Sequence, residues 1–156
     1  MRAWYDIVGM DFATRAEAAG VEESIAQVEA LIARESERGT PPSRLLLAGF
    51  SQGGAIALAT GLRRRQPLAG LVALSTYLPG GVAAASARDP NAVAQPVFFA
   101  HGDSDPVIPA QYGQASAQML ERVGFEVEWH RYPMAHQVCA AEIADLAGWL
   151  DRRLAG

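Results

Sequence analysis

Apolar residues recur along the chain with two different spacings. From Val21 they are separated by four, three and four residues, at Val21, Ile25, Val28 and Ile32. This spacing places them on one face of a helix. A continuous apolar run, Leu45–Ala48, follows. Short runs of this kind are typical of strands buried on both faces, so the pattern predicts a helix and then a central strand at 44–50.

The same alternation continues to the end of the chain. The patterns predict helices at 52–65, 110–123 and 138–150, and strands at 68–77, 96–101 and 125–132. The last helix has a predicted apolar face made of Val138, Ile143, Leu146, Trp149 and Leu150. Residues 79–95, rich in Gly, Ala and Pro, are predicted to form a surface excursion. Strands separated by helices indicate an α/β fold with a parallel sheet and flanking helices. No repeat or linker divides the chain, so residues 1–156 are expected to form one domain.

The charged residues exclude several kinds of chemistry. All 13 basic residues are arginine, and 17 acidic residues give a net charge of −4. Without lysine there is no Walker-type phosphate loop and no Schiff-base chemistry. The dense basic run, Arg63–Arg65, fits the carboxyl end of a helix, where cations are favoured. We therefore expect no nucleic-acid partner.

Cysteine and histidine are scarce. The single cysteine, Cys139, cannot form an intramolecular disulfide and is predicted to be a buried, inert thiol. The first ten residues do not resemble a secretion signal, so a cytoplasmic location is expected. Prolines and glycines interrupt the longest uncharged span, residues 66–87, so no membrane span is predicted. Three scattered histidines and one cysteine lack metal-ligand spacing, and no metal or cofactor is expected.

One motif stands at a predicted strand-to-helix turn. Residues 49–53 read Gly-Phe-Ser-Gln-Gly, a G-x-S-x-G pattern. Flanking glycines let a strand and a helix approach closely enough for the serine to project above a sheet. Ser51 is therefore a candidate nucleophile, against the alternative of a tight turn with an idle serine.

A serine nucleophile needs a base, and the base needs an acid that fixes its tautomer. Of the three histidines, only His136 lies in the loop after the last predicted strand, and it is the predicted base. His101, at a strand end, is predicted to hold that end and the acid loop by hydrogen bonds. Asp103 and Asp105 both follow the third strand, and loop position does not separate them.

The chain resembles the bacterial carboxylesterases of the phospholipase/carboxylesterase family, the α/β-hydrolase group that includes acyl-protein thioesterases. The resemblance lies in three segments: the nucleophile segment 43–55, the Ala-Leu-Ser-Thr-Tyr-Leu-Pro segment 73–79 and the histidine loop 132–136. The family's H-G-x-x-D-x-x-V/I-P pattern falls on 101–109. It implies Asp105, and not Asp103, as the acid of the triad.

The family resemblance also implies the reaction and its further participants. It implies a serine hydrolase of carboxylic esters or thioesters, with the Gln52 backbone N–H as oxyanion donor. Because the residues expected to line the pocket are apolar and not cationic, small or short-chain acyl esters are the expected substrates. Trp4, Leu78 and Met134, which are apolar, are predicted to line the substrate pocket. No cofactor is implied.

The family is longer at its N-terminus by about a third of a chain, and its H-G-x-G-type loop, which provides a second oxyanion donor, has no counterpart before Trp4. From this difference we expect the first strands to be absent, whether through an internal start or a shortened gene. An apolar sheet edge is then exposed, which favours a homodimer. The alternative function is a non-catalytic remnant that associates through this edge.

Overall fold

The structure, a computed structural model, describes residues 15–155. The elements, in chain order, are α1 Arg15–Glu37, a 3₁₀ turn Pro42–Arg44, β1 Leu46–Phe50, α2 Gln52–Arg63, β2 Gly70–Leu74, α3 Gly81–Ser86, β3 Val97–Gly102, α4 Ala110–Arg122, β4 Val127–Tyr132 and α5 Ala140–Leu154. Each predicted strand and helix is present, with ends that shift by a few residues.

The four strands form one parallel sheet in the order β1-β2-β3-β4. Phe50 at the end of β1 lies beside Leu74 at the end of β2, and Leu74 lies beside Ala100 of β3. Gly102 at the end of β3 lies beside Tyr132 at the end of β4. The predicted α/β fold with a parallel sheet and flanking helices is thus confirmed. Because all strands run in one direction, the loops that follow them meet at one edge of the sheet.

Side chains from the two central strands pack on opposite faces of the sheet. Phe99 belongs to the larger apolar cluster, which includes the predicted apolar face of α1. Its neighbour Phe98 belongs to the smaller cluster with Trp149 of α5. Strand residues alternate between faces, so β2 and β3 are covered on both sides and provide a rigid base for the loops above them.

The prediction that the first strand is buried on both faces is wrong. Leu46 and Leu47 are half-buried, and Ala48 and Phe50 are exposed. In the described sheet, β1 pairs with β2 on one side and forms the edge. An apolar run reports the hydrophobicity of a strand but not the number of its neighbours.

The predicted apolar face of the last helix is wrong at two positions. Val138 precedes α5, and both Val138 and Ile143 are exposed. The face of α5 that packs on the sheet is centred on Trp149 and Glu142. Because Glu142 is charged, the spacing of apolar residues could not predict that it is buried. Cys139, predicted to be buried, is only half-buried.

The predicted surface excursion is more ordered than expected. It contains α3, and Ala85, Ala92 and Gln95 are buried. Gln95 Nε2 donates a hydrogen bond of 2.9 Å to the Gly61 carbonyl. Arg88 donates hydrogen bonds to three backbone carbonyls and lies over the Phe125 ring. These contacts fix the segment against α2 and α4.

Within residues 15–155, no helix is long and apolar enough to cross a membrane.

Candidate active site

Ser51 occupies the turn between β1 and α2 in a backbone conformation that side-chain-bearing residues rarely adopt. Its φ is 54° and its ψ is −120°, and the left-handed region costs a non-glycine residue free energy. Two contacts with the next strand and its loop hold it there. The Ser51 N–H donates to the Leu74 carbonyl at 2.8 Å, and Thr76 Oγ1 donates to the Ser51 carbonyl at 2.7 Å.

The glycines of the turn allow the backbone segments to touch. A Cβ atom on Gly49 would overlap the backbone of Gly53 and Gly54, so β1 and the start of α2 are in direct contact. A Cβ atom on Gly102 would likewise overlap the carbonyls of Met134 and Ala135. The second contact draws the loop after β4 against the end of β3, where the acid loop begins.

The three residues predicted as nucleophile, base and acid lie together. Ser51 Oγ is 3.0 Å from His136 Nε2, and His136 Nδ1 is 2.7 Å from Asp105 Oδ2. Because a carboxylate oxygen only accepts, Nδ1 carries the proton and donates it to Asp105. In the neutral ring, Nε2 is then the acceptor for the Ser51 hydroxyl. The loops after β1, β3 and β4 each provide one of the three side chains.

The Asp105 carboxylate is held at both oxygens. Besides His136 on Oδ2, the backbone N–H groups of Val107 and Ile108 each donate to Oδ1 at 2.8 Å. Burial pushes the pKa of Asp105 up, but the hydrogen bonds from His136, Ile108 and Val107 outweigh it and leave this pKa below its ordinary value. Asp105 is therefore a fixed, ionised acceptor at neutral pH.

The His136 ring is partly accessible, with 17% of its side chain exposed. The Phe50 ring packs against it with a centroid separation of 4.8 Å. Phe50 is itself exposed at 39%, so an apolar surface lies open to solvent beside the Ser51 hydroxyl and the imidazole.

The competing candidates lie elsewhere. Asp103 pairs with Arg131 at 2.6 Å. His130 lies within β4, where its Nε2 is 2.9 Å from Glu128 and its ring stacks on Phe98. Neither group contacts Ser51 or His136.

The predicted pocket and oxyanion residues are placed as follows. Trp4 lies outside the described residues. Leu78 is 3% exposed and Met134 is 6% exposed, and both pack in the apolar core. Their role in a substrate pocket stays a prediction. Gln52 is the first residue of α2, where the helix dipole favours a developing negative charge beside the backbone N–H.

The sequence interpretation missed Thr76, whose hydroxyl holds the Ser51 carbonyl. Its signal is positional, since Ser75 and Thr76 directly follow the strand that neighbours β1 in the sheet. It also missed the Val107 and Ile108 N–H groups, because backbone donors carry no mark in a sequence. In the part of the chain that the structure describes, no group of three or more His, Cys, Asp or Glu side chains is placed to hold a metal ion.

A hydroxyl, a neutral imidazole and an ionised carboxylate in this order can carry out nucleophilic acyl transfer. The imidazole accepts the hydroxyl proton as the oxygen attacks, and the carboxylate stabilises the imidazolium that forms. The hydrogen-bond distances of 2.7 and 3.0 Å are within the range that proton transfer needs.

Comparisons with known proteins agree with this architecture. The family described as phospholipase/carboxylesterase matches residues 1–154. Acyl-protein thioesterase 1 of Mycosarcoma maydis is 41% identical over 97% of this chain and 69% of the relative. The crystal structure of Arabidopsis thaliana SOBER1 matches with a TM-score of 0.88 and 30% identity, over 99% of this chain and 75% of that one. Acyl-protein thioesterase 2 of Zea mays matches with a TM-score of 0.81 and 26% identity, over 97% and 72% of the two chains.

Proposed function

Because the chain belongs to the phospholipase/carboxylesterase family, a family of ester and thioester hydrolases, we propose that it hydrolyses small or short-chain acyl esters or thioesters through an acyl-enzyme on Ser51. The observation that carries the proposal is the continuous hydrogen-bonded series from Ser51 through His136 to Asp105. A serine that served only to form a tight turn would not need a histidine at its hydroxyl, nor a buried, ionised aspartate hydrogen-bonded to that histidine.

In the first step, Ser51 Oγ attacks the carbonyl carbon of the substrate while its proton passes to His136 Nε2. Asp105 stabilises the imidazolium through the Nδ1–H bond. The Gln52 backbone N–H, at the N-terminus of α2, stabilises the oxyanion. His136 then returns the proton to the departing alcohol or thiol, which leaves Ser51 acylated.

In the second step, a water molecule hydrolyses the acyl-enzyme. It loses a proton to His136 Nε2 as its oxygen attacks the acyl carbon, and the proton then returns to Ser51 Oγ as the carboxylic acid departs. No metal or cofactor takes part in either step. The apolar Phe50 surface beside the triad fits an uncharged acyl or alcohol group.

Covalent labelling with a fluorophosphonate probe, followed by intact mass, tests the proposal. We expect one probe per chain for the wild type and none for Ser51→Ala. Asp105→Asn should slow labelling by about 10³–10⁴-fold, because the amide favours the wrong imidazole tautomer. Asp103→Asn is the matched control and should label at close to the wild-type rate. Labelling that persists in Ser51→Ala, or a folded wild type that does not label, would refute the proposal.

The place of β1 at the edge of the described sheet supports a second candidate, a non-catalytic protein that associates through β1. Leu46 and Leu47 are half-buried on this edge, and an unpaired strand edge can pair with another chain. A homodimer that joins two β1 edges is the arrangement to test. This candidate would be favoured over the hydrolase if light scattering showed a dimer that is lost on Leu47→Lys and if the wild type did not label.

A cytoplasmic location stays a prediction.

A further inference from the structure

A second histidine, besides His136, contacts the acid loop. His101 lies in β3 and is fully buried, with 0% of its surface exposed. Its Nε2 is 2.7 Å from the Ile108 carbonyl and 3.4 Å from Asp105 Oδ2. Two histidines therefore approach the same carboxylate oxygen, but only His136 also contacts Ser51.

The contacts of His101 define its tautomer. The Ile108 carbonyl only accepts hydrogen bonds, so Nε2 carries the proton. Nδ1 has no hydrogen-bond partner among the described residues. It faces Gly113 of α4 so closely that a Cβ atom there would overlap it. Burial lowers the pKa of His101 and outweighs the opposing contacts with Ile108 and Asp105. The ring is thus a neutral Nε2–H donor.

The backbone of Ile108 connects this donor to the acid through the two peptide groups on either side of its Cα. Its carbonyl accepts from His101, and its N–H donates to Asp105 Oδ1 at 2.8 Å. His101 is 0% and Ile108 is 4% exposed, so the Ile108 carbonyl has little access to bulk water if the His101 donor is removed, and an unpaired buried carbonyl is costly. The loop would then move to find another partner for the Ile108 carbonyl and would carry the Asp105 carboxylate with it.

We propose that His101 is a positioning residue for the triad, which holds the Ile108 carbonyl with its Nε2–H, fixes the backbone of Ile108 and thereby sets the orientation of Asp105 towards His136. This inference rests on the proposed function, because it assigns His101 a role in the same site. It differs from a packing role, because it predicts that the rate of Ser51 labelling depends on the hydrogen-bond donor at the Nε2 position and not on the volume of the ring.

Two substitutions at His101 separate the donor from the volume. The amide nitrogen of Gln can occupy the Nε2 position, whereas the shorter Asn cannot reach the Ile108 carbonyl. We expect His101→Gln to label with the fluorophosphonate probe within about threefold of the wild-type rate, and His101→Asn to label about 10- to 100-fold more slowly. Rates are taken per folded molecule. His130→Gln is the control for loss of a histidine from a neighbouring strand and should not change the rate.

A second variant perturbs His101 without replacing it. In Gly113→Ala the added Cβ displaces the imidazole, although alanine itself favours the helix. We expect slower labelling here as well, whereas Gly148→Ala in α5, where a Cβ meets only the tip of Arg152 at 3.8 Å, should label normally. If His101→Asn does not fold, the Gln and Gly113→Ala variants still test the inference.

A readout that does not need turnover distinguishes this inference from the proposed function. The His136 Nδ1–H proton bonded to Asp105 gives a low-field proton NMR resonance, expected in the wild type and His101→Gln and lost or shifted in His101→Asn and Gly113→Ala. A wild type that shows the resonance but does not label refutes the hydrolase function alone. Equal labelling and equal resonances in Gln, Asn and wild type would overturn the positioning role, as would equal impairment of Gln and Asn. A folded wild type that neither shows the resonance nor labels refutes both proposals.

Discussion

The conformation of Ser51 predicts that its best replacement for stability is glycine. With φ at 54° and ψ at −120°, Ser51 lies in a region that glycine populates freely. A non-glycine residue there costs about 1–3 kcal/mol. Ser51→Ala keeps this cost and loses the hydroxyl, whereas Ser51→Gly removes the cost and loses the same hydroxyl. The difference between the two variants therefore isolates the backbone strain at the turn.

The magnitude follows from two opposing contributions. Relief of strain contributes about 1–3 kcal/mol, and the greater freedom of glycine in the unfolded chain offsets about 0.5–1 kcal/mol of it. With the middle of each range, Ser51→Gly should thus have a free energy of unfolding about 1 kcal/mol above that of Ser51→Ala. For a chain of 156 residues this corresponds to a Tm about 2–4 °C higher.

Urea unfolding followed by tryptophan fluorescence measures the difference, since Trp149 is fully buried in the core. Ser86, the last residue of α3 and exposed, provides the matched control. In its helical conformation glycine should be less stable than alanine by about 0.5–1 kcal/mol. The reasoning fails if Ser51→Gly is no more stable than Ser51→Ala while the Ser86 pair behaves as expected.

Two further predictions concern buried or bridging charges away from the triad. Burial raises the pKa of Glu142, so the protonated form stabilises the fold, and this contribution is lost as pH rises through the raised pKa. Unfolding measured over a pH series should show this loss in the wild type but not in Glu142→Gln, and identical pH profiles would contradict it. Arg88→Met, which removes the donors to three carbonyls, should lower the free energy of unfolding by about 2–3 kcal/mol. The exposed Arg122→Met should change it by less than about 0.5 kcal/mol, and equal effects of the two substitutions would refute the bridging role.

The order of elements and the position of the nucleophile could be predicted from the sequence because both depend on local signals. Apolar runs mark the buried strands β2 and β3, and the glycines around Ser51 mark a turn where two backbone segments touch. His136 could be selected because it alone among the histidines follows the last strand. These inferences require only that strands in a parallel sheet end at the same edge.

The choice between Asp103 and Asp105 could not come from loop position, because it depends on the direction of each side chain. Asp105 turns inward and accepts from the N–H groups two and three residues ahead, a local turn that Asp residues often form. Asp103 turns outward to Arg131. Glu142 was missed for a related reason. Apolar periodicity assigns charged residues to the surface, and here the core-facing position of α5 is occupied by a carboxyl.

Of the strands that precede Ser51 and Asp105, the one that precedes Ser51 has fewer neighbours in the described sheet. Asp105 follows β3, which has a neighbour on each side, whereas Ser51 follows β1, the edge of the described sheet. Among the described residues, the contacts that hold Ser51 from a neighbouring strand come from β2 and the loop after it, through the Leu74 carbonyl and the Thr76 hydroxyl. His136 and Asp105 are fixed to each other by contacts between β3 and β4, including the close approach at Gly102. A displacement of β1 would therefore separate Ser51 from an otherwise intact His136–Asp105 pair. Local opening at β1 would abolish labelling of Ser51 while the low-field resonance of His136 persists, so the two measurements report on different halves of the site.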